Sequence, residues 1–331
     1  MASKGAILVA GGAGYIGSHC SKAVAAAGFL PVCYDNLATG HRSFVQWGPL
    51  VVGDIADSIK VAATIQHYDV RAVMHFAASS AVGESVADPQ AYYLNNVAGT
   101  LGLLQGMRAA GCDRLVFSST GAVYGNAGRD PIPEQAAGPT VNPYGRSKYM
   151  IEQILADYRA AYGFASIALR YFNACGADSS ALIGELRNPE THLIPRALMA
   201  LQGYVGDFAI FGDDYDTPDG TAVRDYIHVD DLGVAHIAAV DRLLQGHPGG
   251  VYNLGTGTGY SVKEIVDAIH RETGESVPVV MRERRAGDPA ILVADPVHAE
   301  RELGFKARHS DLPTIIRSAW AWHQKAHPRI A

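Results

Sequence analysis

Tyr144 and Lys148 stand four residues apart in the stretch NPYGRSKYM (142–150), so on a helix their side chains share one face. The pair can be an aromatic core residue and a solvated cation, or a base and the cation that activates it. A free phenol, with a pKa of about 10, is a poor base near neutrality. A neighbouring ammonium and a cationic cofactor ring would stabilise the phenolate and bring that value down. Lys148 could also hold ribose hydroxyls. Upstream, VFSSTGAVYG (116–125) closes an apolar run with Ser118, Ser119 and Thr120. One of these hydroxyls could bind a substrate oxygen that is losing its proton, or all three could simply cap a strand.

A second group of residues supplies a partner for such a base. VAGGAGYIGSH (9–19) sets Gly11, Gly14 and Gly17 as G-x-x-G-x-x-G between an apolar run and a helical pattern. Glycines there allow a tight turn and a close backbone approach to a pyrophosphate, while the helix start offers free N–H groups and a positive dipole end. The alternative is a structural glycine turn. Asp35, at the end of the next apolar run, stands where a carboxylate accepts hydrogen bonds from an adenosine ribose and repels a 2′-phosphate. That favours NAD over NADP, the alternative being a turn-starting Asp in YDNL. Asp54 and Ile55 follow the third run and could touch adenine.

These residues need elements to hold them. Apolar runs at 6–11, 30–35, 50–54, 72–78, 114–119 and 165–173 alternate with helical patterns at 15–27, 57–67, 90–110 and 144–162. Continuous apolar strands with helices between them predict a parallel sheet covered on both faces, a doubly wound α/β fold of Rossmann type. After residue 174 the pattern becomes loops, prolines and a helix near 193–203. Helices are predicted again at 230–245 and 262–273, a strand at 250–255 and an amphipathic tail at 312–326. The expected division is a cofactor-binding domain over 1–173, with returning segments near 226–256, and a smaller α/β substrate domain over 174–331.

With 331 residues, 48% hydrophobic and 18% charged, the chain can bury a large core. A net charge of −6 gives no basic footprint for nucleic acid or an anionic membrane. Cys20, Cys33, Cys112 and Cys175 form no CxxC pair and read as buried small hydrophobes of a reducing compartment. The start MASKGAILVAGG leaves no room for a signal peptide, and no run approaches a membrane span, so a cytoplasmic protein is expected. No metal is expected: DYDTPDG (214–220) lacks the turn glycine and distal Glu of a calcium loop, and HQKAH (323–327) lacks the Glu of a zinc helix.

The chain resembles the extended short-chain dehydrogenase/reductases and, within them, the family of UDP-glucose 4-epimerases. The resemblance runs nearly end to end through GGAGYIGSH, YDNL, HFAA with AVGESV, YYLNNVAGT, SSTGAVYG, NPYGRSK, RYFNACGA, THLIP, IFGDDYDTPDGTAVRDYIHVDDL and RRAGDPA. The glycine and Tyr/Lys motifs mark the superfamily; FGDDYDTPDGTAVRDYIHV and AVGESV select the epimerases. The resemblance implies Tyr144 as base and acid, Lys148 as its activator and Thr120 as the hydroxyl partner. It implies NAD held by Gly11, Gly14, Tyr15, Ile16, Gly17, Asp35, Asn36, Asp54, Ile55, Phe76, Ala77, Ala78, Asn95, Ser118 and Tyr171, together with Tyr144 and Lys148. It implies a UDP-sugar held by Phe172, Asn173, His192, Leu193, Phe211, Arg224, Tyr226, Arg285, Asp288 and Leu292. Arg224 and Arg285 suit a diphosphate, since guanidinium offers a paired-donor fork.

Two departures stand out. Ser80 replaces a lysine that reaches the cofactor pyrophosphate in some relatives, and His192 replaces an asparagine. Gly121 and Ala122 follow Thr120 where the related 4,6-dehydratases need an acidic pair, so elimination of water is disfavoured on chemical grounds. The expected reaction is therefore NAD-retaining 4-epimerisation of UDP-glucose and UDP-galactose through a transient 4-keto sugar. A sugar-nucleotide reductase or dehydrogenase, a UDP-pentose 4-epimerase and a non-catalytic NAD sensor remain alternatives. Leu292, at a position where a bulky aromatic restricts N-acetyl sugars in the family, is intermediate in size. The family precedent of a homodimer makes the helices at 90–110 and 144–162 its expected interface.

Overall fold

The computed structural model describes residues 4–126, 128, 131–285 and 288–327. Ala286 and Gly287, within the RRAGDPA stretch, and Met1–Ser3 lie outside the described residues. Six strands follow the apolar runs: β1 Ala6–Ala10, β2 Leu30–Asp35, β3 Leu50–Val52, β4 Val70–His75, β5 Arg114–Thr120 and β6 Ala165–Tyr171. Helices α1 Tyr15–Ala26, α2 Ser58–Tyr68, α3 Val82–Ala87, α4 Pro89–Tyr92, α5 Gly99–Ala109 and α6 Pro143–Tyr162 lie between them. Beyond β6 come β7 Asn173–Cys175, α7 Leu193–Leu201, β8 Phe208–Phe211, β9 Val223–Arg224, β10 Tyr226–His228, α8 Val229–Leu244 and β11 Gly249–Leu254. The chain then forms β12 Tyr260–Ser261, α9 Val262–Thr273, β13 Val279–Arg282, β14 Ile291–Leu292, α10 Val297–Leu303 and α11 Leu312–Ala326.

The main sheet runs β11-β6-β5-β4-β1-β2-β3 with every pairing parallel. Successive residues of its strands feed opposite layers, as the two-residue period of a strand requires. Ile7 and Val116 join a core with Val24, Leu232 and Val240. Their neighbours Leu8, Leu115 and Phe117 join another with Ile65, Leu104, Ile151 and Leu155. Burial on both faces explains why these strands read as unbroken apolar runs. All four cysteines are free and buried, and no helix among the described residues is long and apolar enough to cross a membrane.

The structure differs from the sequence reading in three places. The helix expected over 90–110 is interrupted: α4 passes into a π-helical turn at Tyr93–Ala98 before α5 begins. The wider turn aims Asn96 inward, where its amide bonds the Ser79 carbonyl at 3.0 Å and Ser147 Oγ at 3.0 Å. The strand expected over 165–173 breaks at Phe172, so that Asn173–Cys175 pairs with β10 in a separate two-stranded ladder. Finally, 174–228, expected to be mainly loops, holds the short strands β8, β9 and β10, and β12, β13 and β14 follow beyond it, because pieces such as β9, β12 and β14 find their partners only in tertiary contact. β8 and β10, with α7, α9 and α11, enclose their own core around Leu198, Ile210, Ile269 and Ile316.

Candidate active site

The carboxyl ends of β1, β4, β5 and β6 converge on one edge of the sheet, where open α/β folds bind ligands. At β1 the backbone turns at Gly11, whose φ is +83°. A Cβ there would lie 2.6 Å from the Ala77 nitrogen, and one on Gly17 would lie 2.1 Å from the Gly11 carbonyl. The turn is therefore packed from below, while Gly14 begins α1 with no side-chain cap. An uncapped helix start with a low-profile glycine wall fits a dinucleotide pyrophosphate. Asp35 accepts the Ala13 N–H at 3.0 Å and the Leu37 N–H at 2.8 Å, which fixes its carboxylate beside the cradle. Asp54 accepts Asn36 Nδ2 at 3.1 Å and the Ala56 N–H at 2.9 Å. Ile55 packs under Gly99, and Phe76 lies 4.8 Å from the His236 ring. Asn95 donates to Ser79 Oγ at 3.1 Å. The Tyr15 hydroxyl is spent on the Gly176 carbonyl at 2.6 Å, so only its backbone is left to face the cradle.

Tyr144 sits in the first turn of α6, which Asn142 caps by accepting the Gly145 N–H at 2.8 Å. Gly145 allows a tight approach: a Cβ there would meet the Ala122 carbonyl at 2.5 Å. That contact brings the start of α6 onto the end of β5, and the Thr120 hydroxyl hydrogen-bonds Tyr144. Burial raises the Tyr144 pKa; the Thr120 hydrogen bond and the Arg187 charge pull it back without cancelling that rise. Lys148, one turn on, donates to the Ser118 carbonyl at 3.0 Å and lies 4.9 Å from the Phe117 ring centre. Burial pushes its ammonium down to about 7. Lys148 Nζ is turned to the Ser118 carbonyl, and the Arg187 charge also acts to lower the Tyr144 pKa. Ser118 Oγ is bonded to the Tyr171 hydroxyl, so Ser118 and Tyr171 close the floor between Lys148 and His236.

The remaining predicted residues border this edge. Phe172 stacks on Tyr124 at 5.9 Å and lies against Gly121. Leu292 joins the same cluster and pairs in register with Arg224. Asn173 Nδ2 donates to the Asp225 carbonyl at 2.9 Å, between Arg224 and the buried Tyr226. Arg224 lies 3.6 Å from Asp288, and the Arg285 guanidinium stacks 3.8 Å over Phe211. Leu193 begins α7, with His192 just before it. His192 Nδ1 is 2.6 Å from Glu185 Oε1, and the Glu185 charge raises the His192 pKa against the effect of burial. Glu185, Glu190 and His192 have ligating atoms within 4.8 Å of one another. Their atoms are already partnered by Arg187 and by the backbone of 191–192, and we assign no metal to them.

Three features were missed in the sequence analysis. Asn96 ties Ser79 to α6. Glu152 accepts Ser119 Oγ at 2.5 Å and Arg170 Nε at 2.9 Å, forming a buried ion pair beneath the site. Arg187 Nη1 donates to Ser80 Oγ at 3.1 Å across 107 residues of chain. Of these, only Glu152 could have been found by spacing, since it lies one helical turn beyond Lys148.

Residues 7–255 match the NAD-dependent epimerase/dehydratase family. A UDP-glucose 4-epimerase from Rhizobium meliloti is 51% identical over 319 residues, covering 96% of this chain and 97% of its own. The crystal structure of UDP-glucose 4-epimerase from Brucella ovis in complex with NAD is 54% identical, with a TM-score of 0.94 over 96% of this chain and 98% of that one. The enzyme from Bifidobacterium longum in complex with NAD+ and UDP is 38% identical, with a TM-score of 0.92 over 98% and 99% of the two chains.

Proposed function

The chain belongs to the NAD-dependent epimerase/dehydratase family and has NAD-dependent UDP-glucose 4-epimerase activity; from that premise we propose that Tyr144 is the base and acid at the sugar 4-hydroxyl. NAD, when bound, supplies a reversible hydride acceptor for the sugar C4. Tyr144 takes the proton from O4 and later returns it. Thr120, hydrogen-bonded to Tyr144, shares that proton and orients the substrate oxygen. Lys148 holds the nicotinamide ribose and fixes the floor at Ser118. Between the two proton transfers the 4-keto sugar turns over while its nucleotide stays anchored.

That rotation needs firm nucleotide contacts and loose sugar contacts. Asn173, Leu193, Phe211, Arg224, Tyr226, Arg285 and Asp288 are assigned to UDP, with His192 on its sugar-facing border. Residues 1–173 and the returning segments near 226–256 hold NAD; the rest of 174–331 mainly holds UDP. The observation that carries the reading is that the first turn of α6, with Tyr144, packs onto the chain just after Thr120 at the carboxyl end of β5, on the sheet edge that also bears the glycine turn after β1. Leu94, Leu101, Met150 and Tyr162 leave an exposed apolar face around α5 and α6, which we assign to a homodimer. Ile151 and Leu155 of α6 are core residues. A single-chain mass in sedimentation would overturn the dimer.

Sugar range is set around Leu292, packed with Val123, Tyr124 and Phe172. The smaller side chain leaves room for an N-acetyl group, and UDP-GalNAc is expected to turn over more slowly than UDP-galactose. A panel of UDP-galactose, UDP-GalNAc and UDP-xylose tests both points. No turnover of UDP-GalNAc removes the role given to Leu292, and no turnover of UDP-galactose overturns the roles given to Tyr144 and Thr120.

A further inference from the structure

We propose that Arg187 is the positioning cation of the cofactor end of this site, strapping the 174–192 segment onto the cradle and donating to the cofactor diphosphate. The inference rests on the reading that NAD lies along the glycine cradle toward Tyr144.

The geometry begins with what the guanidinium already holds. Nε donates to Glu185 Oε1 at 2.9 Å and Nη1 to Ser80 Oγ at 3.1 Å. Nη2 has no hydrogen-bond partner among the described residues, and the side chain is 31% exposed. Guanidinium has donors to spare and matches a phosphate with two of them at once. Ser80 ends the stretch that leaves β4 at Phe76, and Ala77 of that stretch touches Gly11. Its neighbour Ser79 is held by Asn95 and Asn96. On the other side, Glu185 also binds His192, and the Glu185 carbonyl accepts Trp322 Nε1 at 2.8 Å. Arg187 thus joins the wall of the cofactor cradle to the border of the nucleotide-sugar site.

Charge supports the same placement. Among the residues assigned to the cofactor the only cation is Lys148, and its Nζ is turned to the Ser118 carbonyl. Asp35 and Asp54 add negative charge along the same cradle, and a dinucleotide brings two phosphates. The positive charge of Arg187 acts on Tyr15 at the start of α1, on Tyr144 and on Tyr171. Burial holds back ionisation of Glu185, but the His192 and Arg187 charges overcome this and keep its carboxyl below the usual range. The anchor of the strap therefore stays ionised at neutral pH.

The test uses the purified holoenzyme and its Arg187→Met and Arg187→Lys variants. NAD retained after dialysis, the equilibrium affinity for re-added NAD, and the pH profile of UDP-galactose turnover at saturating NAD are measured. A charge-assisted contact of ordinary strength predicts roughly ten- to hundredfold weaker NAD binding for Arg187→Met. Loss of a positive charge facing Tyr144 raises the tyrosine pKa, so the acid limb of the profile is expected to move to higher pH. Arg187→Lys restores part of both. Wild-type NAD retention and an unmoved acid limb in Arg187→Met overturn the proposal. So does a loss of NAD that only parallels a loss of thermal stability and is not rescued by lysine. Failure of the wild-type enzyme to convert UDP-galactose would instead strike the functional reading beneath it.

Discussion

Tyr144→Phe is expected to lower interconversion of UDP-glucose and UDP-galactose by roughly a hundred- to ten-thousandfold, the range general acid–base groups contribute, while the protein keeps its NAD. The substitution removes one oxygen. The ring keeps its edge contact with Tyr92, at 6.5 Å and 83°. The helix keeps its Asn142 cap, and the cradle lies on another element. What disappears is the group that exchanges a proton with the sugar 4-hydroxyl, and Thr120 cannot replace it without its partner. Rate and bound NAD are measured on the same preparation. Near-normal turnover would remove Tyr144 from the mechanism, and loss of NAD alongside loss of rate would make it a binding residue instead.

Glu152→Ala is expected to have the largest effect on stability. Glu152 and Arg170 are 5% and 4% exposed at their side chains. Arg170 also donates to the Tyr124 hydroxyl at 3.0 Å and the Glu134 carbonyl at 2.8 Å. Truncating one member leaves a guanidinium buried without its counter-charge, a change that costs about 3–5 kcal/mol. Because Glu152 follows Lys148 by one turn of α6, its bond to Ser119 also sets the rotation of the helix against β5. Turnover should therefore fall with stability. Replacing both members by apolar residues, Glu152→Leu with Arg170→Met, should recover much of the stability, since the unpaired charge is then gone. Chemical denaturation reads both variants. A loss below about 1 kcal/mol for Glu152→Ala would show the pair to be open to water.

The doubly wound core was legible because strands buried on both faces have no polar alternation to confuse them with loops. The glycine turn was legible because its residue types answer to backbone geometry: Gly11 adopts a positive φ and Gly17 lies against the Gly11 carbonyl. Tyr144, Lys148 and Thr120 carried chemistry in their types, and the resemblance gave them a context. What escaped were features made by distant parts of the chain. β9 and β14 are two residues each and become strands only through tertiary pairing, β9 lying between β12 and β14. Glu152 and Arg170 look like solvated charges until a helix and a strand bring them together. Arg187 meets Ser80 from far along the chain, and no local pattern announces it. The π-helical turn at Tyr93–Ala98 is likewise invisible in a pattern that reads as continuous helix.

The central claim is that hydrogen leaves the sugar C4 and returns to the same carbon within one binding event. Purified enzyme, with no NAD added, converting UDP-galactose that carries deuterium at C4 tests this most directly. The account predicts UDP-glucose with the deuterium still at C4 and no build-up of NADH. Deuterium lost to water, or NADH accumulating in step with turnover, would contradict it.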